Sequence, residues 1–279
     1  MDKKTVALLL CLLSLFAAQR SQAQNPNFHV YLCFGQSNME GHGQFEIQDT
    51  VAEPRFRFLA AVDCADLNRA KGQWYPAVPP LSRCHTGLTP ADYFGKTMVS
   101  NLADSIDIGI INISVGGCHI ELFDKDSTSS YVEKAPNWMK SMLAAYDNDP
   151  YGTLVEMAKI AQKDGIIKGI LLHQGESNVG DIDWPHKVKR VYDNLLLDLS
   201  LEAKNTPLLA GEMLAAEYSE KCASMNEIIH TLPQVIPTAH IVSSKDCEGI
   251  SDLIHFSAAG YRQLGINYAN TLLQLQQKK

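Results

Sequence analysis

The segment Gly35-Gln36-Ser37-Asn38-Met39-Glu40-Gly41 sets a serine between two glycines, directly after an apolar run that ends at Phe34. A serine hydroxyl is inert by itself. It becomes a nucleophile when a neighbouring base takes its proton, and that base needs a third group to hold its tautomer and offset the imidazolium charge. Base and orienter occur together near the other end of the chain, in Asp252-Leu253-Ile254-His255. Residues three apart in a turn can face the same way, so Asp252 can accept a hydrogen bond from one His255 nitrogen while the other faces Ser37. Between them, Ile113-Ser114-Val115-Gly116-Gly117 carries paired glycines that can aim a backbone N–H at the anionic oxygen of a tetrahedral intermediate. His173-Gln174-Gly175-Glu176-Ser177 ends another apolar run with polar groups that are costly unless they face a site or find partners. Each segment also has a plainer reading: Ser37 as a helix N-cap, Asp252 and His255 as ordinary loop residues, the glycine pair as a tight turn.

These groups meet only if strands deliver them to one edge. The chain alternates short β-branched runs with longer helix-patterned ones, the signature of an α/β fold around a mostly parallel sheet. Strands are expected over 28–34, 108–113, 166–173, 207–212 and 239–243. Each is nearly all apolar, as strands covered on both faces by helices are. Leu154, Val155, Ala158 and Ala161 form one helical stripe, and Tyr261, Leu264, Tyr268, Leu272 and Leu275 another. Further helices are expected over 91–102, 185–201 and 219–230. The proline-containing stretches 44–90 and 121–150 have no clear period, and long loops in a compact domain are usually functional. Serine, glycine pair and polar cluster each follow a strand, and the histidine follows the last one. An open α/β sheet presents its reactive groups at that carboxyl edge.

GQSNM at 35–39, VGG at 115–117, HQGES at 173–177 and DLIH at 252–255, in this order, resemble the SGNH-type hydrolases. Within them they look like the carbohydrate esterase family 6 and sialate O-acetylesterase-like branch. The resemblance spans nearly all the chain after residue 23. It implies a flavodoxin-like three-layer α/β/α sandwich, here with a central, mostly parallel five-stranded sheet. It also implies Ser37 as nucleophile, His255 as base and Asp252 as its partner, with Glu176 a further carboxylate that orients His255 or shares the role of Asp252. The oxyanion hole is implied to be the Ser37 and Gly116 N–H groups with the Gln174 side-chain amide. Members of this branch remove acetyl groups from xylan, sialic acids or other sugars without a metal or other cofactor. Asn38 and His173 are expected to face the substrate, with Trp74 and Trp138 as surfaces on which sugar rings stack; the duller reading of the tryptophans is packing. Gln36 replaces the aspartate of the superfamily's GDS form, and His119 stands where relatives often carry a small hydroxyl residue.

Composition narrows the setting. A charged start, the apolar run TVALLLCLLSLFAA and a small-x-small site at Ser21 and Ala23 have the layout of a secretory signal peptide over 1–23, too short in its apolar part to span a bilayer. One esterase domain is expected over 24–279, exported to the periplasm or the extracellular space and free of the membrane after cleavage. Removing the leader takes away Lys3, Lys4 and Arg20 against Asp2, so the formal charge moves from −7 to −9. Such acidity argues against nucleic acid as a partner and leaves acetylated carbohydrate as the expected one. Of the six cysteines left after cleavage, Cys64 with Cys84 and Cys222 with Cys247 are the expected disulfides, and Cys33 and Cys118 read as buried hydrophobes. Three rivals stand beside the serine esterase. An α/β-hydrolase would need GxSxG well into the chain. A zinc hydrolase would use His173, Glu176 and His255, and a carbohydrate-binding protein would have no need of Ser37, His255 and Asp252.

Overall fold

In the first strand, β1 (Phe28–Gly35), Val30, Leu32 and Phe34 join one buried core, while Tyr31 and Cys33 join a second. Successive side chains of a strand point to opposite faces, so two cores mean a sheet covered on both sides. The computed structural model describes residues 24–277, and the leader expected over 1–23 lies outside them. After β1 come β2 (Phe56–Leu59), β3 (Trp74–Pro76), β4 (Asp107–Ser114), β5 (Ile166–His173), β6 (Leu208–Gly211) and β7 (Ala239–Val242). The sheet order is β3-β2-β4-β1-β5-β6-β7, parallel throughout except for β3, which runs antiparallel to β2.

Besides a single turn, α1 (Ser37–Glu40), four longer helices build the layers: α2 (Pro90–Asn101), α3 (Pro150–Ala161), α4 (Trp184–Asp198) and α5 (Ala258–Gln277). Local chemistry sets their starts. Thr89 and Asp92 form a reciprocal capping box ahead of α2, Asp149 accepts from the Gly152 N–H ahead of α3, and both helices carry proline at the first position. Ala91, Phe94 and Met98 of α2 pack with Tyr261, Leu264 and Tyr268 of α5 on the Tyr31 face. Leu154, Met157 and Ala158 of α3 and Val188, Val191 and Leu195 of α4 cover the Val30 face.

Among the described residues the sandwich has seven strands rather than the expected five. The additional β2 and β3 lie in the unassigned stretch 44–90 and have four and three residues. β3 is the edge strand and β2 lies between it and β4; both are short, with Arg57 and Tyr75 only half-buried, so neither shows a long apolar run. The stretch 121–150 holds two short helices, Thr128–Lys134 and Asn137–Ala144, and the helix expected over 219–230 is broken into Glu220–Ala223 and Met225–Ile229.

Strand register places the chemistry. Gly35 stands opposite Ser114 of β4 on one side and His173 of β5 on the other, so three strands end level with one another. β1 has β4 and β5 as its two neighbours, and the chain fills one side of the sheet before the other; the crevice beyond the strand ends at such a point is where open α/β sheets bind ligands. A Cβ on Gly35 would lie 2.0 Å from the His173 carbonyl oxygen, so only glycine lets β1 approach β5 this closely.

Cys64 and Cys84 form a disulfide with Cα atoms 5.7 Å apart. The second expected pair does not form: Cys222 and Cys247 are buried free thiols, and they belong to the cores on opposite faces of the sheet. Because the Cys64–Cys84 bridge closes a loop with a sequence separation of 20, Cys64→Ser with Cys84→Ser is expected to lower stability by about 3 kcal/mol. Urea melts at fixed pH read this, as a lower midpoint with an unchanged folded-state spectrum.

Candidate active site

Ser37 opens α1 directly beyond β1. As the first residue of a helical turn, its N–H has no acceptor within the turn and is free to serve a ligand. The turn is held from three directions. The Met39 carbonyl accepts from Asn112 Nδ2 of β4 at 2.7 Å and from Thr89 Oγ1 at 2.9 Å, and the Tyr261 hydroxyl of α5 donates to Asn38 Oδ1 at 2.6 Å.

His255 reaches Ser37 from the turn before α5, with Nε2 2.8 Å from the Ser37 hydroxyl oxygen. Its Nδ1 lies 2.6 Å from Asp252 Oδ2. Asp252 Oδ1 accepts the N–H groups of Ile254 and His255, both at 2.9 Å, so the carboxylate shapes the turn that carries the histidine. Burial opposes ionisation of Asp252, but those N–H groups and the imidazole outweigh it and hold its pKa down at about 2. A carboxylate at Nδ1 fixes the proton there and leaves the Nε2 lone pair facing the serine hydroxyl. The arrangement can deprotonate a hydroxyl.

On the other side of the serine, Gly116 presents its N–H beyond β4. An ideal Cβ at Gly116 would sit 3.8 Å from Ser37 Cβ, so the two backbone donors border the same space. The Gly116 N–H meets Glu40 Oε1 at 3.2 Å, and that oxygen also accepts from Arg83 Nη2 at 2.6 Å and Nε at 3.2 Å.

Not every residue expected at the site faces it. The Gln174 amide is turned away: Nε2 donates to Gln36 Oε1, Cys118 O and Asn178 Oδ1, and Oε1 accepts from the buried Trp184 indole. With both amide hydrogens engaged, Gln174 braces the neighbouring loops and has no N–H left to offer a ligand beside Ser37. Glu176 does not touch His255; its side chain is 4% exposed and accepts from Asn38 Nδ2 at 2.5 Å. Asn38 is fully buried, bonded to Glu176, Ile254 O and Tyr261, so it locks the serine turn and does not face the substrate. His173 is also fully buried, with Nε2 3.0 Å from Glu212 O, and burial lowers its pKa. Trp74 lies at the far end of the sheet, edge-on to Phe28 with its indole N–H on Asp164. Trp138 is the exception among the aromatic candidates: it is 59% exposed, and its ring lies 2.7 Å from where a Gly117 Cβ would be.

His42, to which the sequence lent no role, stacks on His255 with centroids 3.8 Å apart and planes 16° from parallel. Burial, and then the neighbouring His255, lower its pKa, against a smaller opposing pull from Asp252. Its place one residue past the GQSNMEG turn was the available signal. An open groove of about 490 Å³ begins here, lined by His42, Gln44, Phe45, His85 and Thr86 among others. A larger cavity of about 580 Å³ opens at the opposite end of the sheet, against His29 and His240, away from these groups.

Among the described residues, His42, Asp252 and His255 are the group spaced to hold a metal ion; His173, Glu176 and His255 are not brought together. Their geometry suits an ion poorly. Imidazole lone pairs lie in the ring plane, and two nearly parallel rings 3.8 Å apart direct them side by side, not onto one ion about 2.0 Å from each nitrogen.

The same overall structure occurs in known proteins. A protein from Arabidopsis thaliana superposes with a TM-score of 0.66 at 22% identity, covering 90% of this chain and 99% of that one. NanS gives 0.67 at 16%, covering 91% and 99%. A carbohydrate acetylesterase from Xanthomonas citri gives 0.61 at 16%, covering 90% of this chain and 57% of that one. At these identities the likeness establishes the fold. A family model described as carbohydrate esterase, sialic acid-specific acetylesterase, matches residues 27–274. With the match running from the start of β1 into the last turns of α5, the chain belongs to this family of carbohydrate esterases and is a carboxylic ester hydrolase.

Proposed function

We propose that the protein removes O-acetyl groups from carbohydrate through an acetyl-serine intermediate. The observation that carries this is the continuous chain from Ser37 Oγ to His255 Nε2 at 2.8 Å and from His255 Nδ1 to Asp252 at 2.6 Å. Ser37 attacks the acetyl carbonyl as its proton passes to His255, and the developing oxyanion takes the Ser37 and Gly116 N–H groups. His255 then gives the proton to the departing sugar oxygen. Water, deprotonated by the same imidazole, attacks the acetyl-serine; His255 returns the proton to Ser37 Oγ as the ester bond breaks, and acetate is released.

His42, Gln44, His85 and Thr86 line one side of this centre together with the Phe45 ring, and Trp138 stands exposed on the other, a mix of polar groups and rings that suits a sugar. Acetylated xylan is the preferred substrate in this reading. The chain is acidic, and the Arg83 guanidinium beside the site is already paired with Glu40, which favours a neutral sugar. O-acetylated sialic acid is the second candidate, supported by the description of the family. Trp138→Ala is expected to raise KM for the acetylated polymer about three- to tenfold while leaving KM for p-nitrophenyl acetate within about twofold, since stacking adds roughly 0.5–1.5 kcal/mol. We also take the protein to be exported as a single domain. The leader pattern and the disulfide agree with an oxidising compartment, and among the described residues no helix is long and apolar enough to cross a membrane.

The deciding experiment measures acetate release from acetylated xylan and from O-acetylated sialic acid, for wild type and Ser37→Ala, with and without chelator. Chelator-insensitive release that vanishes in Ser37→Ala supports the reading and ranks the sugars. Release that survives Ser37→Ala, or that chelator removes, overturns it.

A further inference from the structure

The N–H that should meet the oxyanion already has an anion on it. Glu40 Oε1 lies 3.2 Å from the Gly116 nitrogen, and Glu40 Oε2 would lie 3.0 Å from a Gly116 Cβ. A bare carboxylate there is doubly harmful to acyl transfer. It competes for the donor, and it repels the negative charge that forms within a few ångströms in a partly water-excluded site.

Arg83 answers both problems. Its Nη2 and Nε both donate to the same oxygen that meets the Gly116 N–H, and the two side chains are 17% and 11% exposed, so the pair is only lightly screened by water. The loop that carries Arg83 is tied down on several sides. The next residue is Cys84 of the disulfide, Thr86 Oγ1 donates to the Arg83 carbonyl, and the Gly87 N–H donates to the Gly41 carbonyl at 2.7 Å. Gly41 and Gly87 pass so closely that a Cβ on Gly41 would lie 2.3 Å from the Gly87 oxygen. The guanidinium is thus delivered to the far end of the serine turn by a stapled loop, not by a mobile surface side chain.

We propose that Arg83 is a positioning residue of the oxyanion site: by neutralising and holding Glu40, it lets the Gly116 N–H pass from the Glu40 carboxylate to the oxyanion when substrate is attacked. Glu40 holds the Gly116 peptide in place between turnovers, and Arg83 keeps that brace from acting as an inhibitor. The inference rests on the serine-esterase reading, in which Gly116 is an oxyanion donor.

The test uses p-nitrophenyl acetate, whose small acyl group needs no sugar contacts, and compares kcat and KM for wild type, Arg83→Met, Arg83→Lys, Glu40→Gln and the double variant Arg83→Met/Glu40→Gln. Removing the guanidinium should cost about 10²-fold in kcat, comparable with loss of an oxyanion donor, with KM changed less than about threefold. Arg83→Lys should keep kcat within about tenfold of wild type. The decisive result is rescue: in the double variant, kcat should recover to within about tenfold of wild type because the uncompensated charge is gone. A merely structural pair would leave the double variant no better than Arg83→Met. Circular dichroism and thermal melts show whether Arg83→Met folds; if it does not, Glu40→Gln and Arg83→Lys carry the test, each expected to keep kcat within about tenfold. Full kcat in folded Arg83→Met, or no rescue in the double variant, overturns the proposal. So does a loss beyond tenfold in Glu40→Gln or Arg83→Lys. If Ser37→Ala abolishes hydrolysis while the Arg83 variants behave as wild type, this inference alone fails. If Ser37→Ala is active, the esterase reading fails first.

Discussion

Ser37→Ala is expected to lower kcat for acetyl esters by about 10⁵–10⁶-fold, with the fold and its melting temperature unchanged. In the proposed mechanism the hydroxyl forms the acyl bond, and alanine removes it without disturbing the turn. That turn is held through Met39 O, Asn38 and the packing of β1, not through the serine side chain. A residual rate of about 10³-fold over water should survive from the two backbone donors and from binding. Burst kinetics check the same point from another side. Wild type mixed with excess p-nitrophenyl acetate should release a stoichiometric first turnover if deacylation is slower, and an acetyl mass increment should map to Ser37. Labelling at any other residue would exclude Ser37 as the nucleophile.

His255→Ala should cost about as much as Ser37→Ala, whereas Asp252→Ala should cost about 10⁴-fold. The asymmetry follows from the roles. In the proposed mechanism His255 handles the proton in both half-reactions, while Asp252 fixes its tautomer and offsets its charge. Groups that act as a unit do not add, so Ser37→Ala with His255→Ala should be no slower than either alone. Acid stability gives an independent readout of Asp252. Its carboxyl is depressed to about 2 in the folded chain, against an ordinary value of about 3.9. The unfolded chain therefore binds the proton first as pH falls. The stabilisation is complete above the ordinary value, declines as pH drops below it and is gone below about 2. Melts of wild type and Asp252→Asn over pH 2–7 should converge toward the acid end. A difference that persists unchanged at pH 2 would show that ionisation of Asp252 contributes nothing to stability.

Sequence by itself determined the elements that carry the reactive groups. Long apolar runs at β1, β4 and β5 are legible because a strand buried on both faces is apolar at every position, and the motifs follow those runs directly. Asp252 and His255 were legible because their spacing within a turn is local, and Ser37 because it follows the apolar run of β1 directly. β2 and the edge strand β3 were not, since each is only three or four residues long, and nothing in FRFL or WYP says that it has a partner.

Only the tertiary structure decided which polar groups face the crevice and which lie beneath it. HQGES reads from sequence as a cluster of site residues, yet His173, Gln174 and Glu176 all turn inward, where burial obliges each to find a protein partner: Glu212 O, the indole of Trp184, the amide of Asn38. The same packing puts His42 on His255, and it brings Arg83 to Glu40 across 43 residues of chain through a loop stapled by Cys64 and Cys84. Partnerships of that kind depend on which way a buried side chain must turn to satisfy its hydrogen bonds. That is a property of the three-dimensional neighbourhood, with no period or spacing along the chain to announce it.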